Sequence, residues 1–243
     1  MLLTHQQYLE LITKVNTFRN EIHLFNSDNI SEEALDNLKE QITIFEKNNP
    51  DKISPNSPNY TIAGGVNEGF SKVNHIKRML SLNDIFNEQE LLAWQTRWQD
   101  YATKNGIDFN EVQKYICEPK IDGLALSLIY ENGELSKAVT RGDGWIGEDV
   151  TNNIRQITSI PKSIKDERKL EVRGEIFMTK SDFDELNYKI KNEQLMGKMG
   201  KTGVDAVFAN PRNVASGTIR QLDSSVVADR KLSFIAYYLD VLG

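Results

Sequence analysis

The sequence predicts an α+β fold, with a small helical domain over residues 1–65 and a mainly antiparallel core over 66–243. Three observations predict it. Apolar residues recur at spacings of three and four in the first fifty positions, whereas they alternate at period two from Leu124 onward. The pair Asn132-Gly133 stands between two such alternating runs, the pattern of a two-residue hairpin turn. Strand and helix signals then alternate too irregularly for a Rossmann unit, and neither G-x-G-x-x-G nor a Walker loop is present.

Residues 4–25 carry Leu9, Ile12, Val15 and Phe18 at helical spacing. Ser31 is the natural N-cap of a second helix, with acids in its first turn and a stripe of Leu35, Leu38, Ile42 and Phe45. That helix stops at Lys47-Asn-Asn-Pro50. Ile53 through Gly65, rich in Pro, Gly and Asn, reads as a linker. Glu88 to Lys104 reads as a helix whose Leu91, Leu92, Trp94, Trp98 and Tyr101 lie mostly on one side, as core packing. Strands follow at Leu124–Tyr130 and Leu135–Thr140, then at Leu170–Phe177 and Leu232–Leu239. Helices are expected over Lys180–Asn192 and part of Val214–Leu222. No fixed-period repeat is visible.

Composition narrows the function. Apolar content of 39% with 26% charged residues is that of an ordinary soluble globular protein. No run approaches the roughly 18 apolar residues of a membrane span, and the N-terminus lacks the features of a signal peptide. The lone Cys117 and the dispersed His5, His23 and His75 form neither an intrachain disulfide nor a zinc site of usual spacing. A reducing cytoplasm is the expected compartment. The net charge of −6 argues against nucleic-acid binding by bulk electrostatics. It leaves room for a local basic stretch at Lys189, Lys191, Lys198 and Lys201, whose simplest reading is a solvated helix end running into a Gly-rich loop.

The chemistry concentrates at Glu118-Pro-Lys-Ile-Asp-Gly123. A lysine amine is a nucleophile only when neutral, so a site that uses Lys120 must favour the uncharged form. Asp122 is placed to orient the amine or help hold a divalent ion, and Gly123 would let backbone approach a bound nucleotide closely. An ordered series lies behind this motif: Thr140-Arg-Gly-Asp-Gly144, Leu170-Glu-Val-Arg-Gly-Glu175, Phe208-Ala-Asn-Pro-Arg-Asn213, Gly217-Thr-Ile-Arg-Gln-Leu-Asp223 and Phe234-Ile-Ala-Tyr237. His75 through Met79-Leu-Ser-Leu82 precedes it.

In order and spacing, this series resembles the successive motifs of bacterial NAD-dependent DNA ligases over nearly the whole chain. The resemblance implies an ATP-grasp-like nucleotidyltransferase (adenylation) core behind a helical domain that closes over the nicotinamide half of NAD. It implies that Lys120, with Asp122, attacks the α-phosphate of NAD, releasing nicotinamide mononucleotide and leaving lysyl-AMP, with Mg2+ or Mn2+ assisting. AMP would then pass to the 5′-phosphate of nicked double-stranded DNA, in replication and repair. Glu118 would meet the adenine amino group, Glu175 the ribose hydroxyls and Arg141 the sugar, while Tyr237 would stack on the base, a contact worth roughly 1–3 kcal/mol. Ser81 and Leu82 belong to the nucleotide-binding set, and Arg212 and Arg220 would hold phosphate.

The chain departs from the family in two places. The helical module is similar to a pattern of paired aromatics, an aspartate and a Tyr-Asp pair, but this sequence reads Ile22-His23, Glu32 and Leu35-Asp36. His23 and Asp36 remain, while both ring-stacking tyrosines are aliphatic, which should weaken hold on the nicotinamide. Second, the family's fold continues beyond the Tyr237 strand with metal and phosphate residues and then DNA-gripping domains. This sequence ends at Gly243. A C-terminally incomplete core, with an exposed edge that self-associates or pairs with the absent segment, is therefore expected. An inert adenine-nucleotide or nucleic-acid binding module, or a partner-binding protein on the same scaffold, is the alternative reading.

Overall fold

The computed structural model describes residues 3–25, 30–61, 69–112, 114–195 and 207–242, with the side chains at 22–25, 32, 111, 112 and 194 excepted. It divides into two compact units, one formed by 1–79 with 121–243 and the other by 80–120. Among the described residues no helix is long and apolar enough to cross a membrane.

In the larger unit, α1 (His5–Phe25) and α2 (Glu32–Asn48) form a hairpin with its own core. Ser31 caps α2 by accepting from the Ala34 N–H at 3.2 Å, as its side chain allows. Tyr8, Ile12 and Val15 meet Ile42 and Phe45, with Leu35 and Leu38 packed against them. The buried face of α1 thus starts at Tyr8, not at the expected Leu9, because the Tyr8 ring stacks on Phe45 at 4.2 Å. Its hydroxyl donates to the buried Glu46 at 2.7 Å and accepts from the Ser54 N–H, while Asn59 donates to the other Glu46 oxygen. These bonds tie the linker to both helices, and burial above all pushes the Tyr8 hydroxyl up to about 12.

The core of the larger unit is a four-stranded antiparallel sheet. It follows a short strand, β1 (Lys72–Asn74), and comprises β2 (Leu124–Glu131), β3 (Glu134–Thr140), β5 (Leu170–Phe177) and β6 (Ser233–Val241), in the order β3-β2-β5-β6. The β2–β3 turn is the expected one: Asn132 and Gly133 have φ of 52° and 77°, the left-handed pair that a two-residue hairpin demands. A three-residue strand, β4 (Ile146–Glu148), pairs antiparallel with β1 and makes a second, smaller sheet.

One face of the large sheet is buried. Leu126, Leu128 and Tyr130 of β2, Leu135 and Ala138 of β3, and Leu170 and Ile176 of β5 join Val214, Ala215 and Ile219 of α7 (Pro211–Ile219) in one core. Ile154 of α5 (Thr151–Ile154) and Val227 of α8 (Ser225–Ala228) complete it, and α6 (Lys180–Leu195) adds Phe183 and Leu186 at its margin. α7 begins earlier than its apolar pattern suggests, because Asn210 caps it by accepting from the Asn213 N–H at 2.8 Å and Pro211 occupies the first turn. β6 lies at an edge of the sheet, with Ile235, Leu239 and Val241 exposed.

The smaller unit holds α3 (Glu88–Lys104), bounded as its sequence pattern indicates and capped by Asn87, and α4 (Phe109–Val112). Its aromatics are not core residues as expected. Within α3 only Ala102 is buried, and Leu91, Leu92, Trp94 and Tyr101 are exposed. The rings pair with one another instead, Trp98 with Tyr101 and Trp94 with Tyr115.

Candidate functional site

Antiparallel pairing brings the starts of β2 and β6 beside the ends of β3 and β5. Four of the singled-out segments therefore meet at one end of the sheet, although they are spread over more than a hundred residues. On β5 the even positions Leu170, Val172 and Ile176 face the core, so Glu171, Arg173 and Glu175 project from the opposite face. Glu175 stands across from Ala125, whose small side chain leaves space above the sheet, and from Ile235.

Next to Ile235 the pairing of β6 is irregular. Arg173 pairs with Tyr238 and Gly174 with Ala236, so Tyr237 is the extra residue of a β-bulge. Gly174 permits this close packing, since a Cβ there would stand 2.2 Å from the Phe234 ring and 2.4 Å from the Ile235 carbonyl. The Tyr237 ring is about half exposed, at 54%. Partial burial first, and the Glu175 carboxylate second, raise its hydroxyl above the ordinary tyrosine value.

Arg141 leaves the end of β3 into the same space. Burial lowers its pKa, the nearby Arg212 guanidinium lowers it further, and Glu175 and Tyr237 act in the opposite sense. Arg212, in the first turn of α7, donates from Nη1 to Asp122 Oδ1 at 2.8 Å across a partly exposed gap. Arg141, Glu175, Tyr237, Arg212 and Asp122 thus form one cluster of two guanidiniums, two carboxylates and an accessible aromatic ring. Such a set can accept from hydroxyls, donate to phosphate and stack on a flat base.

Gly123 approaches β5 closely: a Cβ there would lie 2.0 Å from the Ile176 carbonyl oxygen and 3.1 Å from the Glu175 side chain. Arg220 turns inward. Its side chain is 8% exposed and its Nε donates at 3.0 Å to the wholly buried Glu148, which also meets Thr140.

Glu118 and Lys120 lie at the end of the smaller unit, where both are exposed, as are Ser81 and Leu82 at its start. In the helical hairpin, Asp36 pairs with Lys39 at 3.2 Å, and Leu35 packs into the hairpin core. The side chains of Ile22, His23 and Glu32 lie outside the described residues, as does the stretch 196–206 with Lys198 and Lys201. Among the described residues no three His, Cys, Asp or Glu side chains converge as a metal-holding set.

Sequence reasoning gave no role to His75, Glu148, Glu171 or Arg173. Glu171 is buried, accepts from Ser127 at 2.7 Å and pairs with Arg173 at 2.9 Å. Arg173 also donates to the carbonyls of Lys77 and Arg78 and lies over the Tyr238 ring. A charged pair at alternate positions of a strand was the visible signal.

Residues 67–243 match the family model for the NAD-dependent DNA ligase adenylation domain. The chain is 40% identical over 232 residues to a DNA ligase of Aliarcobacter butzleri, covering 96% of this chain and 33% of that protein. It is 43% identical over 235 residues to a DNA ligase of Campylobacter concisus (97% and 33%) and 38% identical over 237 residues to one of Helicobacter pylori (98% and 33%). The chain therefore spans about a third of the length of the curated relatives it matches.

Proposed function

The chain belongs to the NAD-dependent DNA ligase family and carries its adenylation domain, and from that premise we propose that the Arg141–Glu175–Tyr237–Arg212–Asp122 cluster is the adenylate pocket. The observation that carries the reading is the convergence of these side chains at one end of the sheet. Glu175 accepts from the ribose hydroxyls, Tyr237 stacks on the adenine, Arg141 lies against the sugar and Arg212 faces the phosphate. Arg220 is held by the buried Glu148. Glu118 meets the adenine amino group, and Ser81 and Leu82 belong to the same binding set. The matched region begins at residue 67, which supports a boundary near 65/66 between the helical domain and an ATP-grasp-like nucleotidyltransferase core.

Lys120 is the nucleophile of this reading. Its neutral Nζ attacks the α-phosphorus of NAD, a P–N bond forms, and the P–O bond to nicotinamide mononucleotide breaks. The amine loses its proton, and the displaced phosphate carries off the bonding electrons. Asp122, two residues along, is held by Arg212. AMP then passes to the 5′-phosphate of a DNA nick, in the compartment that holds the genome and NAD. A divalent cation is the family's expected assistant. Among the described residues no three His, Cys, Asp or Glu side chains converge to hold one. In the helical module, His23, Asp36 and the Glu32 carboxylate are the polar groups left to meet the nicotinamide half. Leu35 serves the hairpin core in place of a stacking ring.

Calorimetric titration with AMP tests the pocket. Glu175→Gln and Tyr237→Leu should each weaken AMP binding about tenfold or more. Unchanged affinity in both would show that the nucleotide binds elsewhere.

A further inference from the structure

Residues 71–79 form a strap laid along the turn that carries Arg141. Lys72, Val73 and Asn74 pair with Glu148, Gly147 and Ile146. Beyond this ladder the His75 N–H donates to the Trp145 carbonyl at 2.8 Å and the Met79 N–H to the Gly144 carbonyl at 3.0 Å. The Asp149 N–H donates back to the Ser71 carbonyl. The Arg78 guanidinium lies over the Trp145 ring.

The His75 side chain adds a cross-brace of another kind. Its Nε2 lies 3.0 Å from the Thr140 carbonyl oxygen and 3.2 Å from the Arg141 carbonyl oxygen. Both partners only accept, so the ring nitrogen must carry the proton and donate to them. These carbonyls flank the Arg141 Cα. The chain beyond is left-handed at Gly142, with φ of 55°, and turns sharply as the Gly144 N–H closes onto the Arg141 carbonyl. Arg141 is thus the last β3-side residue before a bend: its N–H donates to the Ala125 carbonyl at 3.1 Å, and His75 adds a hold on the carbonyls at either side of its Cα. Burial above all lowers the ring's pKa, while Glu171 raises it and Arg173 lowers it, so the neutral Nε2–H form is the one the fold favours.

We propose that His75 is a positioning residue for nucleotide binding, holding the Thr140 and Arg141 carbonyls so that the Arg141 guanidinium is fixed among Glu175, Tyr237 and Arg212. The proposal rests on the reading of that cluster as the adenylate pocket.

A double-mutant cycle in AMP affinity, run well below the melting temperature of each protein, separates positioning from simple stability. The expected result is a loss of about tenfold in His75→Phe, a similar or larger loss in Arg141→Ala, and little further loss in the double variant. Multiplying losses, or His75→Phe binding AMP like the unmodified chain, overturn the inference while leaving the pocket reading intact. Failure of the unmodified chain to bind AMP overturns the pocket reading, and this inference with it. Nitrogen NMR of the unmodified protein gives a second test that needs no variant. A neutral ring protonated at Nε2 is expected, and protonation at Nδ1 alone overturns the inference.

Discussion

Arg220 donates through Nε to Glu148 at 3.0 Å, and the pair is sealed inside the larger unit: the Glu148 side chain is wholly buried and Arg220 is 8% exposed. Removing one member leaves the other as a buried charge that has lost its partner. Arg220→Ala should therefore destabilise the fold by about 3–5 kcal/mol. Urea unfolding of the variant measures this, and a change below about 1 kcal/mol would mean that the ion pair contributes nothing to the fold.

Arg212 makes the opposite kind of pair. Its contact with Asp122 is partly open to solvent, with side-chain exposures of 27% and 55%. Arg212→Ala should shift stability by less than about 1 kcal/mol. It should weaken AMP binding about tenfold, because a charge-assisted donor to phosphate is lost. Unfolding and calorimetry on one preparation separate the two effects. A large stability loss would move Arg212 from the pocket to the scaffold.

Gly123 sits against Ile176, and an added methyl would collide with the Ile176 carbonyl unless the backbone shifts. Gly123→Ala should cost about 1–3 kcal/mol in urea unfolding, through separation of the β2 and β5 ends. Since Glu175 lies in the same contact, AMP affinity should fall as well. A variant as stable as the parent would show that the strands part freely.

His75 makes stability depend on pH. Its folded pKa lies below the ordinary histidine value because burial disfavours the charged ring. The unfolded chain thus binds the proton more readily, and stability falls as pH drops from about 6.5 toward the folded value, then levels. Unfolding midpoints from about pH 5 to pH 8 should show this slope in the parent and lose it in His75→Phe. An identical slope in both would assign the titration to another group.

Much of this architecture was legible in the sequence because its causes are local. The Asn132-Gly133 turn needs two left-handed residues and has the pair that supplies them, and α3 has its Asn87 cap and bounded pattern. What escaped notice is set by distant partners. β1 and β4 have three residues each, too few to show a period, and exist because residues 72–74 meet 146–148. The motif residues were all visible, but not how they divide. Arg212 and Arg220 look alike in sequence, and only the position of Glu148 sends Arg220 inward. Tyr237 gave no sign of its bulge, which depends on the register of β5 against β6. The exposed aromatics of α3 show the converse error, since a one-sided apolar stripe does not say what covers it.

Intact-protein mass spectrometry after incubation with NAD and magnesium reads out whether Lys120 accepts AMP from NAD. A gain of one adenylyl group is expected in the parent chain and none in Lys120→Ala. No gain in a folded parent that still binds AMP would contradict it, and would leave this chain a nucleotide-binding module without the transfer step.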